Sequence, residues 1–265
     1  MKIGIISDSL RLSFADSVKK AASLGASGIQ KYMTGGDFSA ENMTSSRIAE
    51  IKDIMSSNGL VFSAICGDFG KDLDAEGIVD KSKRVLYAAK ELGCNIVTTH
   101  IGHLTDEDTP RMEAIRNSAR ALAEYADSIG SRFAAETGTE KADVLVRFLD
   151  SLGAKGLCVN LDPANLVMVA HDDPVRAVTV LKDYIIHTHA KDGIVTGDDG
   201  RSWLEVPLGT GGVDWDSYLV ALNSIGYTGY LTIEREVGED PAADIKTAVD
   251  FLGVKLAKAG IPLER

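Results

Sequence analysis

Short β-rich runs alternate with helix-patterned stretches eight times along the 265-residue chain. The runs are IGIIS (3–7), GIQKY (28–32), LVFSAIC (60–66), NIVTT (95–99), RFAAE (132–136), GLCVNLD (156–162), YIIHTHA (184–190) and GYLTIE (229–234). Between them lie stretches such as VLVRFLDSL (144–152) and DIKTAVDFLGVKLAKA (244–259), the latter with Ile245, Val249, Leu252 and Leu256 on one stripe. Glycine follows several of these stretches, as in SLG (23–25), ELG (91–93), SIG (128–130), SLG (151–153) and SIG (224–226), where a helix needs its stop. Strands separated by helices pair in parallel through right-handed crossovers. Eight such units in a chain near the usual ~250 residues predict a closed (β/α)8 TIM barrel, one domain over residues 1–265. A doubly wound open sheet is the alternative, but IISDS stands after the first strand where GxGxxG would be expected. No Pro/Gly/Ser-rich linker divides the chain.

Composition narrows the partners. Lys and Arg total 28 against 39 Asp and Glu, a net charge of −11. Such a field opposes phosphate backbones and anionic membranes, so neither a nucleic-acid nor a membrane partner is expected. Cys66, Cys94 and Cys158 are far apart in apolar runs without CxxC spacing, which points to buried thiols in a reducing compartment. MKIGIISDSL has a four-residue apolar core, too short for a signal peptide, and no run is long enough to span a membrane. A cytoplasmic location is the expectation, and a homo-oligomer is left open.

The ends of four successive strands carry the chemistry. RFAAE ends in Glu136, GLCVNLD in Asp162, IIHTHAKD carries His189, and YLTIE ends in Glu234. They lie 26, 27 and 45 residues apart: one βα unit, another, and one with a long loop added. In a barrel this brings all four to the C-terminal rim, where barrel enzymes keep their chemistry. Ala134, Asn160, His187 and Thr232, two residues earlier, share the inward face and suit a crowded interior. Converging carboxylates repel one another and lose hydration unless a cation sits between them. Three oxygen ligands and one nitrogen favour a divalent ion: Mn²⁺, Mg²⁺ or a borderline ion such as Co²⁺ or Zn²⁺. Each residue singly has a plainer reading. Asp162 suits a helix N-cap before Pro163, Glu136 and Glu234 suit solvated rim charges, and a lone histidine is often only a hydrogen-bonded core residue. Pro163 keeps Asp162 extended and stops the strand.

AAET, VNLDPAN, HTHAKD, the loop VPLGTGGVDW and the closing strand LTIERE resemble the sugar phosphate isomerase/epimerase superfamily, the xylose-isomerase-like TIM barrels. The resemblance covers essentially the whole chain and is strongest from Glu136 to Glu236. It implies a ketose 3-epimerase-like site in which Glu136, Asp162, His189 and Glu234 hold one divalent ion. Glu136 and Glu234 would also serve as acid and base on either side of the substrate carbon. The metal would stabilise an enediolate while one glutamate removes the proton and the other returns it.

Three positions depart from the epimerase pattern. Asn165 stands where those enzymes carry a histidine; it can hydrogen-bond a substrate hydroxyl but cannot shuttle a proton. Val195 replaces an arginine, for which Lys191 and Arg201 are candidate substitutes, and Ala142 replaces a glutamate. His100, closing TTHIGH, stands where the superfamily often has a substrate-facing histidine; a polar residue bonded within the rim is the other reading. His103 lies further out, His171 suits the surface, and His187 suits a hydrogen-bonded place inside the barrel.

Residues 191–212 form a long loop on the catalytic side that carries Trp203 as a cover over the mouth. GTGG within it suits either a phosphate cradle or a turn before a helix capped by Asp214, the turn being favoured. The leading function is a metal-dependent isomerase or epimerase of a small keto sugar or sugar-like polyol. The same proton abstraction followed by loss of a leaving group would make a lyase, a keto-inositol dehydratase or 3-keto-glycoside eliminase. An endonuclease IV-like repair enzyme shares the barrel but uses three zinc ions and extra histidines, which five histidines and the acidic charge disfavour. A barrel that only binds a sugar is the non-enzymatic alternative.

Overall fold

The computed structural model describes residues 1–197 and 202–264. Ten strands lie among them: β1 (Lys2–Ile6), β2 (Gly28–Tyr32), β3 (Val61–Cys66), β4 (Ile96–Thr99), β5 (Arg132–Glu136), β6 (Leu157–Leu161), β7 (Ile185–Ala190), β8 (Asp192–Thr196), β9 (Ser202–Val206) and β10 (Tyr230–Ile233). The helices are α1 (Phe14–Leu24), α2 (Ser45–Ser57), α3 (Ile78–Glu91), α4 (Pro110–Ser128), α5 (Ala142–Leu152), the short turn α6 (Pro163–Asn165), α7 (Pro174–Val180), α8 (Trp215–Ser224) and α9 (Pro241–Lys258). Eight strands close in parallel in the order β1-β10-β7-β6-β5-β4-β3-β2, which is the expected (β/α)8 barrel. Strand bounds fall within two residues of the sequence reading.

Helix starts follow local chemistry. The side chains of Ser13, Thr44, Thr109, Asp173, Asp214 and Asp240 each accept a first-turn backbone N–H, and proline opens α4, α7 and α9. Gly25 ends α1 at φ 94°, a left-handed conformation that favours glycine. Alternate strand residues (Ile3, Ile5, Ile29, Phe133, Val159, Leu161, Leu231, Ile233) join helix residues such as Val85, Ile115, Leu149, Leu219 and Leu252 in one apolar cluster. That cluster is the layer between barrel and helices.

The other strand face is polar. Gln30 Nε2 donates to Thr98 Oγ1 at 3.2 Å, and Thr232 Oγ1 bonds His187 Nε2 at 2.9 Å. His187 Nδ1 in turn bonds Asn160 Oδ1 at 2.8 Å. All five side chains are buried, so the barrel bore is a hydrogen-bonded layer directly beneath the rim. His187 fills the bore as expected, and burial first, then the charge of His189, pushes its pKa well down, so it serves as a neutral link. A Cβ on Gly4 would stand 2.5 Å from Thr232 Oγ1, so this strand can approach only without a side chain.

The segment expected as a loop after β7 is instead an antiparallel hairpin, β8 paired with β9 from Asp192–Val206 to Thr196–Ser202. The period-two pattern of IVT and SWLEV is too short to announce it. Asp192 anchors the hairpin base. Its buried carboxylate accepts from the amides of Gly193 (2.9 Å), Gly209 (2.9 Å), Gly211 (3.1 Å) and Val213 (3.2 Å) and from the Trp215 indole (3.0 Å). The glycine turn therefore spends its amides on an internal carboxylate, and a Cβ on Gly211 would lie 2.1 Å from Asp192 Oδ1. Asp192→Ala strips the acceptor from all these donors. Each buried N–H left unpaired costs about 1–3 kcal/mol, so a loss of about 3 kcal/mol or more is expected as a lowered urea midpoint with unchanged m.

Candidate functional site

Strand ends and one register shift build the site. Pairing of β5 with β6 sets Glu136 level with Asn160, which leaves Asp162 two residues further along the barrel axis. Between β6 and β7 the register slips, from Val159–Ile185 to Asn160–His187, so Ile186 is an extra residue. The slip turns His187 and His189 inward despite an odd spacing from Asp162. Thr232 lies level with His189, and Glu234 follows two residues later.

One ligand-type atom from each of Glu136, Asp162, His189 and Glu234 falls within 4.8 Å of the other three, and all four residues are buried. His189 Nδ1 lies 3.1 Å from Glu234 Oε2, 3.4 Å from Glu136 Oε1 and 3.5 Å from Asp162 Oδ2. Its Nε2 faces Gln30 Oε1 at 3.2 Å, a hydrogen bond that leaves the Nδ1 lone pair toward the carboxylates when the ring is neutral. Asp162 caps a helix, as one of its expected readings has it, and also faces the cluster. Oδ1 caps α6 by accepting from Ala164 N and Asn165 N, while Oδ2 is buried with no hydrogen-bond partner among the described residues and is turned to the cluster. An orphaned carboxylate oxygen among three other donor atoms fits a divalent cation.

A second ring of residues fixes the first. Asn160 Nδ2 donates to Glu136 Oε2 at 3.1 Å and Asn165 Nδ2 to Glu136 Oε1 at 3.2 Å. Thr137 Oγ1 staples β5 to β6 by accepting from Asp162 N and donating to Asp162 O. Lys191 Nζ donates to Glu236 Oε2 at 2.6 Å and Glu234 Oε2 at 3.3 Å, and lies 3.9 Å from Glu205. Arg235 joins Glu205 to Asp244, so a chain of ion pairs ties the hairpin to the end of β10. Gln30 and Glu205 escaped the sequence reading because no motif marks them, and Thr137 stood in AAET without a role of its own; only the closure of the barrel brings the three here.

Burial disfavours every charge in the cluster, yet the pairs decide otherwise for three of its members. His189 and then His100 hold Glu136 below the usual carboxylate range despite burial. Lys191 and His189 hold Glu234 well below it, again against burial. At Asp162 burial wins and the pKa rises. His189 is pushed well up because Glu136 and Glu234 outweigh its burial. The ionised carboxylates of the site thus depend on neighbouring positive charge, which His189, Lys191 and His100 supply and which a bound cation would also supply.

Above the cluster a cavity of about 280 Å³ is lined by Tyr32, Cys66, Asp68, His100, Glu136, Asn165, Lys191, Trp203 and Glu234, among others. The structure thus brings His100, Asn165 and Lys191 to the same cavity as the cluster. Trp203, on β9, is half exposed at its edge, in the place expected of a cover. Burial first keeps the Cys66 thiol protonated. His103 and His171 are exposed. Val195 is on the hairpin opposite Trp203 and Ala142 is buried at the start of α5; neither is part of this lining. Arg201 lies outside the described residues.

The model of the xylose isomerase-like TIM barrel family matches residues 18–253. The chain belongs to that family. A xylose isomerase domain protein from Planctomyces limnophilus is similar over 98% of both chains, with 25% identity and a TM-score of 0.84. A probable 3-DHS dehydratase, AsbF, from Bacillus anthracis has 20% identity and a TM-score of 0.79 over 96% of this chain and 99% of that one. A D-psicose 3-epimerase from Clostridium cellulolyticum H10 has 18% identity and a TM-score of 0.76 over 97% and 99%. These last two likenesses show the fold. In sequence, L-ribulose-5-phosphate 3-epimerase UlaE of Escherichia coli is 35% identical over 80 residues, 29% of this chain and 26% of the enzyme. The chain thus aligns with about a quarter of that curated relative.

A cation test of this family member needs no substrate. Mn²⁺ at a hundredfold its Kd is expected to add about 2.7 kcal/mol of stability, read as a raised Tm. Asp162→Asn keeps the cap oxygen and removes the negative charge from the cluster, and the Mn²⁺ shift should then largely vanish. An equal shift in both proteins would show that the ion binds elsewhere.

Proposed function

We propose that the protein is a divalent-metal-dependent isomerase or epimerase of a small keto sugar or sugar-like polyol. The observation that carries this reading is the buried Glu136–Asp162–His189–Glu234 cluster at the floor of a cavity large enough for a small ligand. Glu136, Asp162, His189 and Glu234 would hold the ion, Mn²⁺ by the balance of three oxygens and one nitrogen, with Mg²⁺, Co²⁺ or Zn²⁺ as alternatives. A divalent ion there supplies Lewis-acid stabilisation of negative charge developing on a substrate oxygen.

The chain's own residues do the rest. Glu136 and Glu234 stand at the two ends of the arc β5-β6-β7-β10 and are the groups that remove and return a proton at the substrate carbon between them. Glu136 is steadied by two amide donors and Glu234 by an ammonium group, so the two carboxylates work in different environments, as acid–base pairs require. Asn165 spends its Nδ2 on Glu136 and Thr137, which leaves Oδ1 to accept from a substrate hydroxyl. His100 Nε2 and Lys191 Nζ offer polar contacts at the cavity wall. Trp203 covers the mouth and excludes water.

Asp68, Glu136, Glu234 and Glu236 line the cavity, and among the described residues its one lysine, Lys191, is already paired with carboxylates. The glycine turn that could have cradled a phosphate is occupied by Asp192. A neutral sugar therefore suits this cavity better than a phosphorylated one or a nucleic acid.

The reading is tested by incubating keto sugars with the protein and Mn²⁺ in D₂O and following exchange at carbon by NMR. Glu136→Gln and Glu234→Gln are each expected to slow exchange about 10²–10⁴-fold while keeping part of the Mn²⁺ stabilisation. Near-normal exchange in both variants would overturn the two-glutamate mechanism. A dehydrated product would reassign the reaction to a lyase, and tight binding of abasic-site DNA at physiological salt would overturn the sugar assignment.

A further inference from the structure

Asp68 sits two residues beyond β3 and His100 one residue beyond β4. These strands pair Ile65 with Val97 and Cys66 with Thr98, and Gly67 N donates to Thr98 O at 2.8 Å, so continuing the register sets Asp68 beside His100. Asp68 Oδ2 lies 2.7 Å from His100 Nδ1, and Asp68 Oδ1 accepts from Gly70 N at 2.6 Å. Both carboxylate oxygens are engaged. The two loops are zipped together as well. Leu73 N donates to Ile101 O at 3.3 Å, and Arg111 bridges Asp72 Oδ2 (2.6 Å) and His103 O (2.8 Å).

A carboxylate cannot donate when ionised, so the hydrogen on this contact belongs to His100 Nδ1, whether the ring is neutral or charged. Nε2 is then the nitrogen presented to the cavity. It lies 3.7 Å from Glu136 Oε1, beyond hydrogen-bond range. One substrate hydroxyl at the apex of that pair would stand about 2.8 Å from both atoms, accepting from Nε2–H of the charged ring and donating its own hydrogen to Glu136 Oε1. His100 is nearly half exposed, and without a tether its ring has room to turn.

We infer that Asp68 is a positioning residue that fixes the ring orientation and tautomer of His100, so that Nε2 meets a substrate oxygen beside Glu136. This rests on the sugar-enzyme reading for its kinetic consequence but not for its geometry. Asp68 touches neither the metal cluster nor the reacting carbon; it acts through His100.

Two arms test it. In ¹⁵N NMR of the Mg²⁺-loaded protein, chosen because Mg²⁺ is diamagnetic and recorded at a pH high enough for the ring to be neutral, wild-type His100 is expected to carry its one hydrogen on Nδ1, and Asp68→Asn to shift the ring toward a mixture with Nε2–H. An unchanged tautomer in the variant overturns the inference whether or not a substrate is known. On the sugar found by the exchange screen, Asp68→Asn and His100→Gln are each expected to lose about 10–100-fold in kcat/KM. The double variant should lose no more than the worse single one, because both changes remove the same contact. The Mn²⁺-induced Tm shift should stay at the wild-type value in Asp68→Asn. Multiplicative losses, or loss of the Mn²⁺ shift, would overturn it. If no sugar is exchanged by the wild type, the proposed function fails while the NMR arm still decides the dyad.

Discussion

Three carboxylates and an imidazole gathered within 4.8 Å, all out of water, are the constraint on which the rest of this structure depends. Such a group is unstable alone: each anion loses hydration, and each repels the others. The protein answers with Lys191 against Glu234, amides against Glu136 and helix-opening N–H groups against Asp162. One oxygen, Asp162 Oδ2, has no hydrogen-bond partner among the described residues. Directed unsatisfied valence of this sort is what a cation site looks like from the side of its ligands.

The bore beneath the cluster is built to the same end. An apolar bore would leave the rim carboxylates and His189 free to rotate. Here Gln30, Thr98, Asn160, His187 and Thr232 form a continuous bonded layer that sets ring tautomers and carboxylate orientation from below. The rim is braced from the side by the β8–β9 hairpin, whose Glu205 bonds Arg235 and the Glu236 amide next to Glu234. Asp192 holds the hairpin base in a nest of amides, so Trp203 is carried on a fastened element rather than on a free loop. Membership of the xylose isomerase-like TIM barrel family accounts for the scaffold. Residues such as Asn165 and the Asp68–His100 pair give this particular cavity its own chemistry.

The sequence by itself determined the barrel and the four rim residues. Period-two apolar runs, helical stripes and terminal glycines are local signals, and their eightfold alternation leaves few topologies, so strand bounds fell within two residues. Glu136, Asp162, His189 and Glu234 were legible because each sits at the end of a recognisable strand. Tertiary structure alone decided what depends on distant parts of the chain. The extra residue at Ile186 that turns His189 inward is a property of β6–β7 pairing, invisible in either strand alone. Gln30 reaches His189 across 159 residues, and Asp68 reaches His100 across 32, because closing the sheet makes neighbours of residues that no spacing rule connects. The hairpin after β7 was missed because its short strands are held by Asp192 and Glu205 rather than by an apolar pattern of their own. Hydrophobic periodicity encodes which face is buried; it does not encode which polar atoms meet there, since those contacts are set by register and closure.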